Sequence, residues 1–491
     1  MQTPVLPKAP RAATAAASSA RRCVHLSALA LALLLASCAV GPDYERPLVR
    51  VPAVFKESGD WATATPSDRE PRPDWWMIFG NLELDRLQRE AALANQDIRV
   101  AEARYRQSVA SVDSVRASFF PTLGAGAAVT RSSNSTVGLR LPPTTNDSLT
   151  LSASWVPDLW GAVRRNFEES KANAQASQAD LGAAVLSVQS TLALDYFALR
   201  VADEQQRLLE EAAEAYAKSL ELTESRYRGG VAARTDVTQA QAQLEAIRAQ
   251  AIDAGIQRGQ LEHAIAVLLG RAPADFSVAR QGFDIATPPV PQALPARLLE
   301  RRPDVAAAER AAAAANAQIG VAESAWFPSL TISASGGYRA PSGANLLSAP
   351  FRTWTLGPAL AETLFDAGAR GAAVRSAEAG YDAAAAGYRK AVLSALQNVE
   401  DNLLALHLLA QEVERQDAAV VAAQESLRLV TNQYKAGTVS YLNVITAQTT
   451  ELTDRITALN LRGRQLSATV QLITALGGDW PGLSPPGVAA R

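Results

Sequence analysis

Residues able to do covalent or metal chemistry are scarce in this sequence. Of its two cysteines, Cys23 and Cys38, the second follows Leu35-Ala36-Ser37. That small-residue setting is where a bacterial secretion signal is cut and the cysteine thiol is acylated. The residues upstream agree. Arg21 and Arg22 precede the apolar run Leu26 to Ala36, whose 11 residues are too few to span a bilayer as a helix. Residues 1–37 therefore read as a signal peptide, and Cys38 as the lipidated first residue of the mature chain. Cys23 leaves with the signal, so no intrachain disulfide can form. Outside the signal only His263 and His407 remain among the histidines, each alone on a helical stretch. No Gly-x-Ser-x-Gly elbow, phosphate loop or Cys/His metal spacing occurs. The expectation is no catalytic residue, no metal site, no cofactor and no enzyme. With 47 basic against 49 acidic residues and a net charge of -2, nothing calls for a nucleic-acid partner.

The elements that carry these residues are repeated. Asp97 and Asp304, Glu102 and Glu309, Phe120-Pro121 and Phe327-Pro328, Gly161 and Gly368, Tyr227 and Tyr434, Gly230 and Gly437, and Leu269-Gly270 and Leu476-Gly477 all match at one offset of 207 residues. A single register held from end to end means an internally duplicated protomer. Hydrophobic residues make up 48% of the chain, yet alanine dominates them and the mean hydropathy is -0.03. That is the profile of amphipathic helices and not of a polytopic helical membrane protein.

Each half has the same grammar. Residues 82 to 118 read as helix, stopped by Pro121 after Phe119-Phe120. Residues 122–133 and 147–158 switch to a period of two around the polar stretch Asn134 to Asn146, which makes a hairpin. In the second half, Leu330 and Ile332, then Trp354, Leu356 and Leu360, alternate with small polar residues. No proline interrupts Val163 to Gly230 or Ala372 to Gly437. Helices that long, at about 1.5 Å per residue, reach about 100 Å, and the steps Val420, Ala423, Leu427, Val430, Tyr434 suit lengthwise packing. Glycine-bearing turns end them. The candidate tip residues are Tyr227, Arg228, Gly229, Gly230, Thr235 and Asp236 in the first half, and Tyr434, Lys435, Gly437, Ser440 and Asn443 in the second. Gating and simple packing are equally open for the two tyrosines. The acidic run Glu204 to Glu214 reads as a solvated helix face.

The expected organisation is therefore a signal peptide (1–37), a lipidated extended segment (38–80), a first repeat (81–275, hairpin about 122–158), a Pro-rich linker (276–302), a second repeat (303–478, hairpin about 329–364) and a tail (479–491). A lone hairpin cannot sit in lipid, because each unpaired edge group costs several kcal/mol, so the strands must close with those of other copies. Two chains would give eight strands and three would give twelve, and both are permitted. The rival class is a lipid-anchored periplasmic coiled-coil scaffold without a pore, which would have no use for two apolar-faced strand pairs.

The chain resembles the TolC-type outer-membrane factors, in the lipoprotein (NodT-like) branch that serves resistance-nodulation-division efflux systems. The resemblance rests on Cys38-Ala39-Val40-Gly41-Pro42-Asp43-Tyr44 with Pro47, Trp75-Trp76 before Phe79, Asp158-Leu159-Trp160-Gly161 and Leu298 to Asp304. It continues through Phe365-Asp366-Ala367-Gly368, Tyr434 to Gln448, and Leu476 to Trp480. It implies a homotrimer with a twelve-stranded transmembrane β-barrel and a long periplasmic α-helical barrel. The implied partners are outer-membrane lipid, a periplasmic adaptor (membrane fusion) protein and an inner-membrane pump. The implied function is an exit duct for small molecules such as drugs. A role in type I protein secretion or metal efflux is the alternative. By resemblance to bacterial lipoproteins, Ala39 in place of Asp favours the outer membrane. The implied acidic ring at the second tip is absent: Asn443 and Thr446 stand there, and Asp236 in the first half remains. Mass spectrometry of the mature protein should find a lipidated cysteine at its N-terminus; an unmodified terminus at another residue would rule the assignment out.

Overall fold

The computed structural model describes residues 39–50, 55–56, 74–133, 135–136, 139–140, 142–283, 285, 288 and 302–478. The expected signal peptide, Cys38, most of the Pro-rich linker and the tail lie outside the described residues. The elements are α1 (Leu82–Ala94), α2 (Gln96–Ala117), β1 (Thr122–Ser132), β2 (Ser135–Thr136), β3 (Leu139–Arg140), β4 (Thr144–Trp155), α3 (Ala162–Arg228) and α4 (Arg234–Leu268). The second half gives α5 (Pro303–Ser324), β5 (Ser329–Pro341), β6 (Arg352–Ala361), α6 (Ala369–Ala436) and α7 (Tyr441–Ala475). The duplication shows in these bounds: α2 and α5 have 22 residues each, α4 and α7 have 35, and α3 and α6 have 67 and 68.

Five boundaries differ from the sequence reading, and local interactions account for most of them. The opening helix over 82–118 is two helices, broken at Asn95. The Asn95 Oδ1 accepts the N–H groups of Asp97 (2.9 Å) and Ile98 (3.1 Å), while its Nδ2 donates to the Leu268 carbonyl (2.8 Å). An asparagine that caps one helix end and ties down another outweighs the helical period. The segment 38–80 is not extended throughout, since Trp75–Phe79 forms a 3₁₀ turn that buries Trp75, Trp76 and Phe79. Strand β4 stops at Trp155 and not 158. Pro157 has no N–H to give, and Asp158 accepts the N–H groups of Val163 (2.9 Å) and Arg164 (3.0 Å) at the start of α3. Strand β6 likewise ends at Ala361, and Asp366 accepts from Gly368 (2.9 Å) and Arg370 (3.1 Å) at the start of α6. Strand β4 also begins early, at Thr144, and the loop before it carries the short β2–β3 pair.

The chain divides into two compact units. One comprises Met1–Arg46, Gln107–Ala174 and Arg310–Ala385. Its centre is an antiparallel sheet of order β1-β4-β5-β6, so β1 and β6 are edges with no partner strand among the described residues. The registers Leu123↔Ala153↔Ala334↔Leu356 and Ala125↔Leu151↔Gly336↔Trp354 place every large apolar strand residue on one face. The other face carries Gly124, Ser152, Ser335 and Thr355, again in one row. Serine and threonine there turn back on the ladder: the hydroxyls of Ser148, Thr150 and Ser152 donate to the carbonyls of Ala128, Gly126 and Gly124. The apolar face is bare, with Leu123 76%, Leu356 68% and Trp354 74% exposed.

The same unit clasps the segment that follows Cys38. Val40 donates its N–H to the Trp160 carbonyl (3.1 Å), and Asn316 Nδ2 donates to the Pro42 carbonyl (2.9 Å). Arg165, 5% exposed, donates to the carbonyls of Val40 (3.1 Å) and Gly41 (2.9 Å) and to Asp43 (3.0 Å). Gly161 and Gly320 allow this approach; a Cβ on either would collide with Ala39 or with the Val40 carbonyl.

The second unit comprises Pro47–Arg106, Gln175–Glu309 and Ala386–Arg491. Its core is strung along the helices as separate clusters. Trp75, Trp76 and Phe79 pack on Leu192, Tyr196 and Phe197 of α3 and on Leu466 and Val470 of α7. Tyr388, Val392, Val399 and Leu403 of α6 pack on Leu461 and Leu472. Leu209 and Tyr216 pack on Leu244, Ile247 and Leu452. The only helix among the described residues long and apolar enough to cross a membrane is α3. Arg200, 1% exposed, binds Asp203 (2.9 Å), Glu83 (2.7 Å) and the Ala279 carbonyl (2.9 Å), and so fixes the chain after α4.

Arginine in place of Leu151 or Leu356 should destabilise the sheet in bilayers by about 2–4 kcal/mol if the site lies near the midplane, and arginine at Ser152 much less. Urea unfolding in lipid vesicles measures both; equal losses on the two faces would reject the assignment of faces.

Candidate functional site

The tip residues cluster within the second unit, and the two halves are not equivalent there. Turns of the same design close both long helices. Gly230 and Gly437 adopt φ of 75° and 80°, a left-handed conformation that glycine accepts without strain. Their N–H groups donate to the carbonyls of Tyr227 (2.9 Å) and Tyr434 (3.0 Å), and Gly229 donates to Ser225 (3.0 Å). Arg228, Gly229, Thr235, Lys435, Ser440 and Asn443 are exposed. Asp236 accepts the Ala233 N–H (3.3 Å), which caps α4. Ser440 stands at the corresponding cap of α7, and its side chain makes no capping bond. The Thr235 carbonyl accepts from Thr238 (3.0 Å).

The tyrosines separate. Tyr227 is 45% exposed, and its hydroxyl makes no hydrogen bond among the described residues; Tyr434 is 4% exposed. The Tyr434 hydroxyl reaches Thr223 Oγ1 across 3.3 Å, a long bond that links α6 to α3. Its ring lies 5.4 Å from that of Tyr441 and 4.8 Å under the Arg226 guanidinium. Arg226 also donates to the Lys435 carbonyl (3.0 Å), so one arginine of the first turn holds the backbone and ring of the second. About two helical turns beyond Tyr441 on α7, Gln448 donates to Ser219 (3.0 Å). Burial is the main cause that pushes the Tyr441 hydroxyl up to about 12. A phenol held neutral in this way stabilises the fold fully below its ordinary value of about 10, and that contribution is lost as pH rises toward 12.

Arg226, Thr223 and Ser219 do not stand out in the sequence, and Tyr441 and Gln448 enter its reading only within the stretch Tyr434 to Gln448. The available signal was where the repeat fails: Arg226 answers to Gln433, Thr223 to Val430 and Arg234 to Tyr441. Those three mismatches help join the two halves, whereas the Ser219–Gln448 bond joins them from positions that match in the repeat, Ser426 and Gln241. Asn443 lines an open hollow with Ser426, Val430 and Thr446 on α6 and α7. The run Glu204 to Glu214 is largely paired: Arg207 binds Glu204 and Glu211, and Arg455 also reaches Glu211 (3.3 Å).

Comparison with known proteins fits this geometry. The family model described as outer membrane efflux protein matches twice, at residues 87–271 and 294–478. The chain belongs to the outer membrane efflux protein family. It is 31% identical over 467 residues to the pyoverdine export outer membrane protein OpmQ of Pseudomonas aeruginosa, covering 93% of this chain and 97% of that one. It is 31% identical over 426 residues to nodulation protein T of Rhizobium leguminosarum bv. trifolii, covering 85% and 89%. Among solved structures, the outer-membrane channel OprN matches with a TM-score of 0.84 at 29% identity, over 90% of this chain and all 100% of that one. The channel CusC matches with a TM-score of 0.80 at 26% identity, over the same shares. This outer membrane efflux protein is the outer-membrane exit duct of a tripartite efflux system, and its two matches are the two halves of the duplication.

Tyr434→Phe should raise single-channel conductance in planar bilayers with trimer yield retained, at a cost of about 0.5–1.5 kcal/mol in stability. Tyr227→Phe should leave conductance unchanged. Equal effects of the two would reject the asymmetry.

Proposed function

We propose that three copies close edge to edge, β6 of one on β1 of the next, into a twelve-stranded barrel. In this reading the apolar face meets lipid and the serine, threonine and glycine face lines a water-filled pore. The two unpartnered edges of the sheet carry the proposal, because an open edge in hydrocarbon is untenable. The duct takes small molecules handed to it by a periplasmic adaptor and an inner-membrane pump, and the tip turns at Tyr227 to Asp236 and Tyr434 to Asn443 are where the adaptor docks and the pore opens. An acyl group on Cys38 anchors the chain, and the protein catalyses no reaction.

The cargo class stays broad. Relatives are named for the export of pyoverdine, of toluene, of antibiotics and of cations, all on one frame. The scaffold reading is disfavoured because it leaves the bare apolar face without a purpose. Purified protein should migrate as a heat-resistant trimer in detergent and conduct ions in planar bilayers, and Cys38→Ser should do both, since the barrel is the larger anchor. A water-soluble, non-conducting monomer after that substitution would overturn the proposal in favour of the scaffold.

A further inference from the structure

Closure of a barrel does not account for one hollow on the apolar face of the sheet. It measures about 440 Å³ and is lined on that face by Leu123, Leu151, Tyr338, Arg352 and Trp354 around Gly336. That size lies within the range of small-ligand sites, about 300–1,000 Å³. In the strand register Leu151 stands opposite Gly336, and Gly336 opposite Trp354, so two large exposed side chains flank a position that has none. By strand alternation Gly124, Gly126, Gly337 and Gly357 fall on the polar face, which leaves Gly336 the single glycine on the apolar face of β1, β4, β5 and β6.

The backbone does not require that glycine. Its φ is not in the left-handed region, and a Cβ added there would meet nothing within 4 Å. Its neighbour differs, since a Cβ on Gly337 would run into the Leu149 carbonyl. Glycine weakens a strand, and one with no steric reason marks a place where something approaches the chain closely. Arg352 sits on the same face at the first position of β6, opposite Tyr338, and makes no ion pair among the described residues. The acidic residue on this face, Asp147, lies one row nearer the loops on β4, opposite Ala340. The helices continue from the Ser329 end of β5 and the Ala361 end of β6. Arg352 is therefore at the end of the sheet away from the helices, which is the external leaflet.

We propose that this hollow binds one lipopolysaccharide molecule of the external leaflet, with an acyl chain laid over Gly336 between Leu151 and Trp354 and a lipid A phosphate on Arg352. The inference rests on the reading that the sheet spans the outer membrane with this face to lipid. Arginine suits phosphate because its planar fork can hold two oxygens at once. An aromatic pair such as Tyr338 and Trp354 suits the boundary between acyl chain and headgroup. Commitment to lipid A follows from the leaflet: the phosphate-bearing lipid on that side of an outer membrane is lipopolysaccharide.

Full-length trimers, delipidated in mild detergent, can be titrated with hexa-acylated lipid A, with its dephosphorylated form and with phosphatidylglycerol, and read by native mass spectrometry. Lipid A should bind the native trimer, and Arg352→Gln or loss of the lipid phosphates should each weaken binding about tenfold. Gly336→Leu, which fills the hollow, should remove the bound acyl chain, and phosphatidylglycerol should bind more weakly than lipid A. Unchanged binding in Arg352→Gln, or equal binding of phosphatidylglycerol, would overturn the site in favour of an unspecific lipid annulus. Should Gly336→Leu lower trimer yield, Arg352→Gln with the dephosphorylated lipid decides the matter. Conductance of the same preparations reports on the channel separately, so a failed lipid site with intact conductance leaves the duct standing.

Discussion

The constraint on which the rest depends is the pair of open edges on a four-stranded sheet. In water an unpaired edge can be blunted by charge or left to solvent; in hydrocarbon no such partner exists, and each bare N–H or C=O costs several kcal/mol. Four strands are too few to close on themselves around any interior. The chain is thus incomplete as a monomer at one unit, and every other feature has to be compatible with assembly. Duplication is one such feature. Two equal halves deliver two hairpins in the same orientation, which makes the sheet β1-β4-β5-β6 a direct product of the repeat.

The helical unit solves a different problem with the same repeat. Long helices that pack side by side have no single centre to bury, and here the core is a series of clusters strung along the seams. Charged groups are admitted where they fasten irregular chain to that seam. Asp203 receives both Arg200 and Arg258, and the two arginines reach the carbonyls of Ala279 and Val278. At the tips the halves diverge, and divergence is what lets one half hold the other: Arg226 has a target in the second turn, while Gln433 has no matching role in the first.

Much of this was legible in the sequence because two periods and one offset are strong signals. The strand faces follow from alternation at Leu149, Leu151 and Ala153, and the equal helix bounds follow from the 207-residue register. What escaped was local chemistry that overrides a period. Asn95 breaks a helix that its neighbours would continue, because one side chain satisfies two amides on one side and a carbonyl on the other. Asp158 and Asp366 end strands early by capping helices, and they are one position out of register with each other, so the repeat itself hid their shared task. The burial of Tyr434 against the exposure of Tyr227 depends on which helix faces the ring, and identical residue types at matched positions carry no trace of that.

The clasp around residues 39–43 bears on mechanics. Only Ala39 separates Cys38 from Val40, whose N–H is already bonded to Trp160. With successive Cα atoms about 3.8 Å apart, a group on Cys38 can stray only a residue's reach from that point. The acyl group proposed on Cys38 would then be no slack leash that merely keeps a protein near a membrane. It would act as a depth gauge, resisting any rise or tilt of the junction between sheet and helices, and a pull along the duct axis would be shared between the acyl chains and Arg165.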